Sequence, residues 1–172
     1  MAAAADVPSP PRWLGTLVVI PLFGLIATAL IALRIMERGE IWLDRTYWLV
    51  SHAALGGLAG AALVKLAQRW ITWSFVRKNP RIIAAMLFAA GFMAAMMAAY
   101  VIHYILLTGQ IEAREDRPFY AWFWISAEVG ALFLISCPAY LLPWPLPVMM
   151  LAAGWLLPAE NREESGKNAQ AG

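Results

Sequence analysis

Residues 48–65 read WLVSHAALGGLAGAALVK, an apolar run with no acidic residue in it. A run of this length and composition is a membrane span, not a helix of a soluble core. Hydrocarbon offers no hydrogen-bond partners, so the backbone must satisfy itself and the run must be helical. Three more runs of the same kind lie along the chain, and the spans are expected at about 13–33, 46–68, 82–108 and 119–142. The fold predicted is an all-α membrane protein: an antiparallel four-helix transmembrane bundle, residues 13–157 forming one domain.

Composition excludes much else. The chain is 62% apolar and only 14% charged, where soluble domains carry about 25% charged residues. Every segment between spans is short, which leaves no room for a soluble catalytic domain and argues against an enzyme. The basic residues sit beside spans and form no extended surface, so nucleic acid is not an expected partner. The lone cysteine, Cys137, rules out a disulfide framework. The preference for Arg over Lys, together with abundant Ala, points to a bacterial source.

Beyond the fourth run, Pro143-Trp144-Pro145-Leu146-Pro147 is expected to be irregular, because proline removes donors and restricts the residue before it. Residues 148–157 then form an apolar stretch that covers roughly 15 Å as a helix, half a bilayer. A C-terminal half-helix is expected, the rival being a fifth full span over 139–157 that turns near Cys137-Pro138. Residues 1–12 and 158–172 are expected to be disordered. The first segment lacks the basic start of a signal peptide, so the first span is read as an uncleaved anchor, with cleavage at Ala27-Thr28-Ala29 as the alternative.

Local charge sets the orientation. Lys65, Arg69, Arg77, Lys78 and Arg81 surround the connection between the second and third spans, and positive loops remain inside. The N-terminus is therefore expected in the cytoplasm of a bacterial inner membrane, and the C-terminus beside it. Arg69, Trp70, Trp73, Arg77, Lys78 and Arg81 read as a membrane-surface anchor. The tryptophans sort into two belts, with Trp13, Trp70, Trp73, Trp144 and Trp155 inside and Trp42, Trp48, Trp122 and Trp124 outside.

Chemistry narrows to three side chains. His52 and His103 are the two histidines of the chain. Each falls roughly 8–9 Å below the outer boundary, on helices joined by a short connection. Two imidazoles at one depth on adjacent helices suit a small metal ion or a b-type haem. Gly56 and Gly60 follow His52 at four-residue spacing, and Gly91, Ala95 and Ala99 lead to His103 in the same way. Such stripes let helices approach closely. They admit a flat porphyrin or a bare neighbouring helix, with the histidines then merely bridging the seam. Glu128 lies near mid-membrane, where an ionisable group must be neutral or paired. It reads as a proton-relay, ion or substrate contact, as a third metal ligand, or as a protonated acid bonded to a neighbouring helix. Met93, Met96 and Met97 read as core fillers in preference to copper ligands.

The leading functional expectation is a non-catalytic accessory or assembly subunit of a larger membrane complex, with other membrane subunits or further copies of itself as partners. The alternatives are a b-haem electron-transfer subunit ligated by His52 and His103, and a small proton- or ion-coupled transporter that uses Glu128.

Overall fold

The computed structural model describes residues 12–39, 44–70, 79–108 and 118–157. Among the described residues six helices follow in order: α1 (Arg12–Glu37), α2 (Asp44–Trp70), α3 (Pro80–Thr108), α4 (Pro118–Ser136), α5 (Pro138–Leu141) and α6 (Pro145–Leu156). Among the described residues there is no strand. Four helical stretches are long and apolar enough to cross a membrane: Leu17–Glu37, Tyr47–Gln68, Pro80–Leu107 and Trp122–Leu141. The protein is an all-α bundle of the membrane type. The expected disordered ends, and the connections at 40–43, 71–78 and 109–117, lie outside the described residues.

Helix boundaries follow local chemistry. α3, α4, α5 and α6 each open on a proline, where the missing N–H would have no intrahelical partner and the fixed φ is already helical. α1 continues through Pro21 and closes on Gly39, whose φ of 66° is the left-handed conformation that ends helices. Its amide donates to the Met36 carbonyl oxygen at 3.0 Å.

One boundary corrects the sequence reading. The segment of three prolines is not irregular throughout, since α6 begins at Pro145 and not at residue 148. Pro145 and Pro147 fall in its first turn, where helical N–H groups are unpaired in any case, and the first backbone bond runs from Val148 N to Trp144 O at 3.0 Å. The fourth span reaches Leu141, as expected, with a turn at Cys137-Pro138 within it. α4 stops at Ser136, Cys137 forms a turn, and Leu142 is extended after one turn of α5.

α2 is the central helix, flanked by α1 and α3. In lipid there is no hydrophobic force between helices, so close packing must hold them together. The adjacent glycines of α2 serve one neighbour each. Gly57 faces α1, with the position of a missing Cβ against the Phe23 carbonyl oxygen and Ala27. Gly56 faces Phe92 and Met96 of α3, and Gly60 faces the backbone of Phe88. Phe23, Phe88 and Phe92 fill the interior, with ring centroids 5.2 Å apart for Phe23–Phe88 and 5.9 Å for Phe88–Phe92.

α4 and α6 succeed one another along α3. Ile125 and Val129 of α4 cluster with Val101 and Ile105 in the C-terminal half of α3. Gly154 of α6 instead lies against the Arg81 carbonyl oxygen and Ala85 at the N-terminal end of α3. The half-helix therefore finishes beside the C-terminal end of α2 and the N-terminal end of α3. There the Leu157 carbonyl oxygen accepts from Lys65 Nζ and Gln68 Nε2, each at 3.3 Å. A cation at the negative end of a helix is favourable.

The turn between α4 and α6 is held by the far end of α1. Arg38 Nη1 donates to the Ala139 carbonyl oxygen at 3.1 Å, and Arg34 Nη2 to that of Leu142 at 3.4 Å. Trp144 Nε1 donates to Glu37 at 2.9 Å, and Arg34 bridges to the same carboxylate oxygen at 3.1 Å. Trp144 thus belongs with the C-terminal end of α1 and not with the inner belt, which corrects its placement from sequence. Its polar edge finds an acid that the sequence keeps more than a hundred residues away.

Candidate functional site: the paired histidines on the α2–α3 seam

The α2–α3 seam is closed by backbone at one level and by side chains at another. At the first, Gly60 and Gly91 touch, a Cβ on Gly91 falling 3.1 Å from the Gly60 Cα. Toward the N-terminal end of α2 the seam is bridged by side chains, Gly56 meeting Phe92 and Met96, and Trp48 meeting His103. Beside these contacts lies a groove of about 620 Å³, open to the outside of the bundle and lined by His52, Ala95, Ala99 and His103 among others. Ala95 and Ala99 line this groove, whereas Gly56, Gly60 and Gly91 make the close helix contact expected of the stripe.

His52 is buried, at 5% exposure, and His103 is partly exposed. Their ring centroids lie 5.5 Å apart with planes at 66°, an edge-to-face arrangement. Trp48, one turn before His52, packs on His103 at 3.8 Å. Tyr100 meets His52 edge-on at 6.3 Å. Four rings from two helices thus form one cluster across the seam beside the groove. Neither imidazole makes a hydrogen bond to a described residue, and His52 Nδ1 is buried without a partner.

This geometry separates the ligands the pair could hold. A metal–nitrogen bond of about 2 Å places each ring centre roughly 3 Å from a shared ion. Two imidazoles on one ion have centres at most about 6 Å apart, and the 5.5 Å spacing lies within that limit. A porphyrin plane between them requires the seam to open.

Glu128 does not join the pair. It lies exposed on α4, while its neighbours Val129 and Gly130 face α3. Among the described residues no three His, Cys, Asp or Glu side chains come together as a metal-binding group, so the three-ligand site expected from sequence is not assembled within one chain. Glu128 makes no hydrogen bond or ion pair with a described residue.

The anchor residues are described only in part. Arg69 and Trp70 end α2, but their side chains, like Trp73, Arg77 and Lys78, lie outside the described part of the structure. Arg81 is described, and its guanidinium stacks over the Trp155 ring at 4.1 Å. Of the remaining candidates, Met96 is buried against Gly56 and Met97 approaches Gly130, both as packing groups. Cys137 is a buried free thiol at the α4–α5 turn.

Sequence reasoning missed Gly57 and the Arg34–Glu37–Trp144 cluster. The Gly56-Gly57 doublet could have revealed the first, because residues adjacent on a helix face different neighbours. Nothing local in the sequence announces the second. Comparison with protein-family models, with curated proteins and with solved structures finds no match to this chain.

Proposed function

We propose that this chain is a small multi-pass protein of a bacterial inner membrane that serves as a non-catalytic accessory or assembly subunit of a larger membrane complex. The observation that carries the reading is the seam itself. His52 and His103 are taken up in a ring cluster with Trp48 and Tyr100, and beyond it the helices meet backbone to backbone at Gly60. Within one chain both imidazoles serve as packing rings. Large apolar side chains of α4 and α6, such as Ile135 and Leu151, face outward, toward lipid or neighbouring subunits. Gentle detergent extraction tests this: defined membrane proteins should co-purify in fixed ratio, and a chain that always migrates without them counts against the reading. The N-terminus is assigned to the cytoplasm by the basic connection around Lys65, Arg69, Arg77, Lys78 and Arg81. Reporter fusions at each connection test that assignment.

A second reading is electron transfer through a b-type haem with His52 and His103 as axial ligands. What favours it is the pairing of both histidines on adjacent helices beside an open apolar groove. A visible spectrum of protein made with ample haem tests it, and the absence of a Soret band removes it.

A further inference from the structure

We propose that copies of this chain associate head to tail in the membrane, Glu128 of one copy seating in the His52–His103 groove of the next. The inference goes beyond the accessory role and does not depend on it.

Two polar sites on this surface are incomplete. The groove holds two imidazoles without hydrogen-bond partners among the described residues. On α4, Glu128 is exposed within an apolar helix, and it too makes no polar contact with a described residue. Acids within a membrane face a partner or a water-filled cavity, because hydrocarbon solvates neither charge nor an unbonded carboxyl group.

The two sites match in level, shape and chemistry. Glu128 lies between Ile125 and Val129, which cluster with Val101 and Ile105, and those residues bracket His103 on α3. The acid and the imidazoles therefore sit at the same height along the bundle. Ala127 and Ala131 lie beside Glu128, and Ala95, Ala98 and Ala99 line the groove; Trp124 and Leu132, one turn either side of the acid, are exposed and would pack against Leu55, Ile102 and Leu106 of the groove wall as the carboxyl enters. An imidazole and a carboxyl group share one proton as a neutral, hydrogen-bonded pair, the form a low-dielectric site tolerates.

Glu128 does not line its own chain's groove. The contact therefore joins two different patches, which makes it heterologous, and such contacts close into rings or extend as rows. In the assembly each groove acquires the acid that one chain does not bring to it, and His52, His103 and the neighbour's Glu128 form a composite site.

Disulfide trapping in native membranes tests this. In a Cys137→Ala background, Ala98→Cys and Ala131→Cys chains are co-expressed with different tags and oxidised with copper phenanthroline. A mixed adduct between the two variants is expected, falling at least tenfold when Glu128→Leu is added to the Ala131→Cys chain. A second pair, Ala95→Cys with Ala127→Cys, covers failure of either variant to insert. Three results overturn the proposal: no mixed adduct in either pair, a dominant adduct of Ala131→Cys with itself, or trapping of Ala131→Cys onto a different polypeptide. The last result leaves the accessory reading standing, and co-purification of partners is scored separately from self-trapping.

Discussion

Gly60 of α2 faces α3 so closely that a methyl group in place of its hydrogen would lie 2.8 Å from the Phe88 carbonyl oxygen. That oxygen belongs to a helical backbone and cannot swing away as a side chain end could. Gly60→Val is expected to force the helices apart and destabilise the bundle by about 1–3 kcal/mol, the usual cost of overpacking. Gly57→Ala should behave similarly, because its new methyl would meet the Phe23 carbonyl oxygen. Gly130→Ala is the control. Its Cβ would have only the Met97 sulfur nearby, at 3.7 Å, and alanine is the better helix former. Unfolding in mixed micelles compares the three, and a Gly130 variant as damaged as the Gly60 variant would contradict this account.

The bundle was legible in the sequence because the bilayer leaves so few choices. Length and apolarity define spans, and short connections make neighbours antiparallel. The same logic placed His52 beside His103, since equal depth on adjacent helices is a one-dimensional argument. It failed where the answer depended on rotation about a helix. Glu128 could be assigned a depth from sequence but not a face, and α4 turns it away from the histidines. It failed again where contacts skip between elements. Counting along the chain assigns Trp144 to the inner belt, yet Glu37 at the end of the neighbouring α1 supplies its partner. Pro145 and Pro147 were read as helix breakers, and they are helix starters because both fall within the first turn.

The Lys65 and Gln68 side chains converge on the Leu157 carbonyl oxygen, where α6 ends. Helix ends leave carbonyl groups unpaired, and a cation there contributes typically about 0.3–1 kcal/mol. Lys65→Met keeps the side-chain bulk and removes the charge. It is expected to fray the last turn of α6, read as faster amide exchange at residues 154–157, while Lys65→Arg retains most of the protection. Unchanged exchange in Lys65→Met would mean that Gln68 alone holds the end.

Trp144→Phe tests the clamp at the other end of α6. The ring is retained and the indole N–H bond to Glu37 is lost. The expected effect is local: amide exchange rises in residues 137–148, which Arg34, Arg38 and Glu37 hold to α1, and protection in α2 and α3 is unchanged. Glu37→Gln retains an acceptor oxygen and should fall between wild type and Trp144→Phe. Exchange that rises across the whole bundle would make the clamp part of the global fold and not a local latch.

Trp48 packs on His103 with ring centroids 3.8 Å apart, the closest ring contact in the four-ring cluster. If the pair serves packing in the isolated chain, ring area matters there and ring nitrogens do not. His103→Phe in dispersed monomers is then expected to stay within about 1 kcal/mol of wild type, whereas His103→Ala loses about 1–3 kcal/mol with the aromatic contact and the space it leaves. A chelator should leave the unfolding midpoint of the wild type unchanged. In membranes the outcome differs, because Phe cannot bond a carboxyl group from a neighbouring copy. The His103→Phe chain should remain folded yet lose most of the mixed disulfide adduct. Equal damage from Phe and Ala in monomers would show that the imidazole nitrogens hold a partner within the chain, and the packing account of the seam would then have to give way to a ligand.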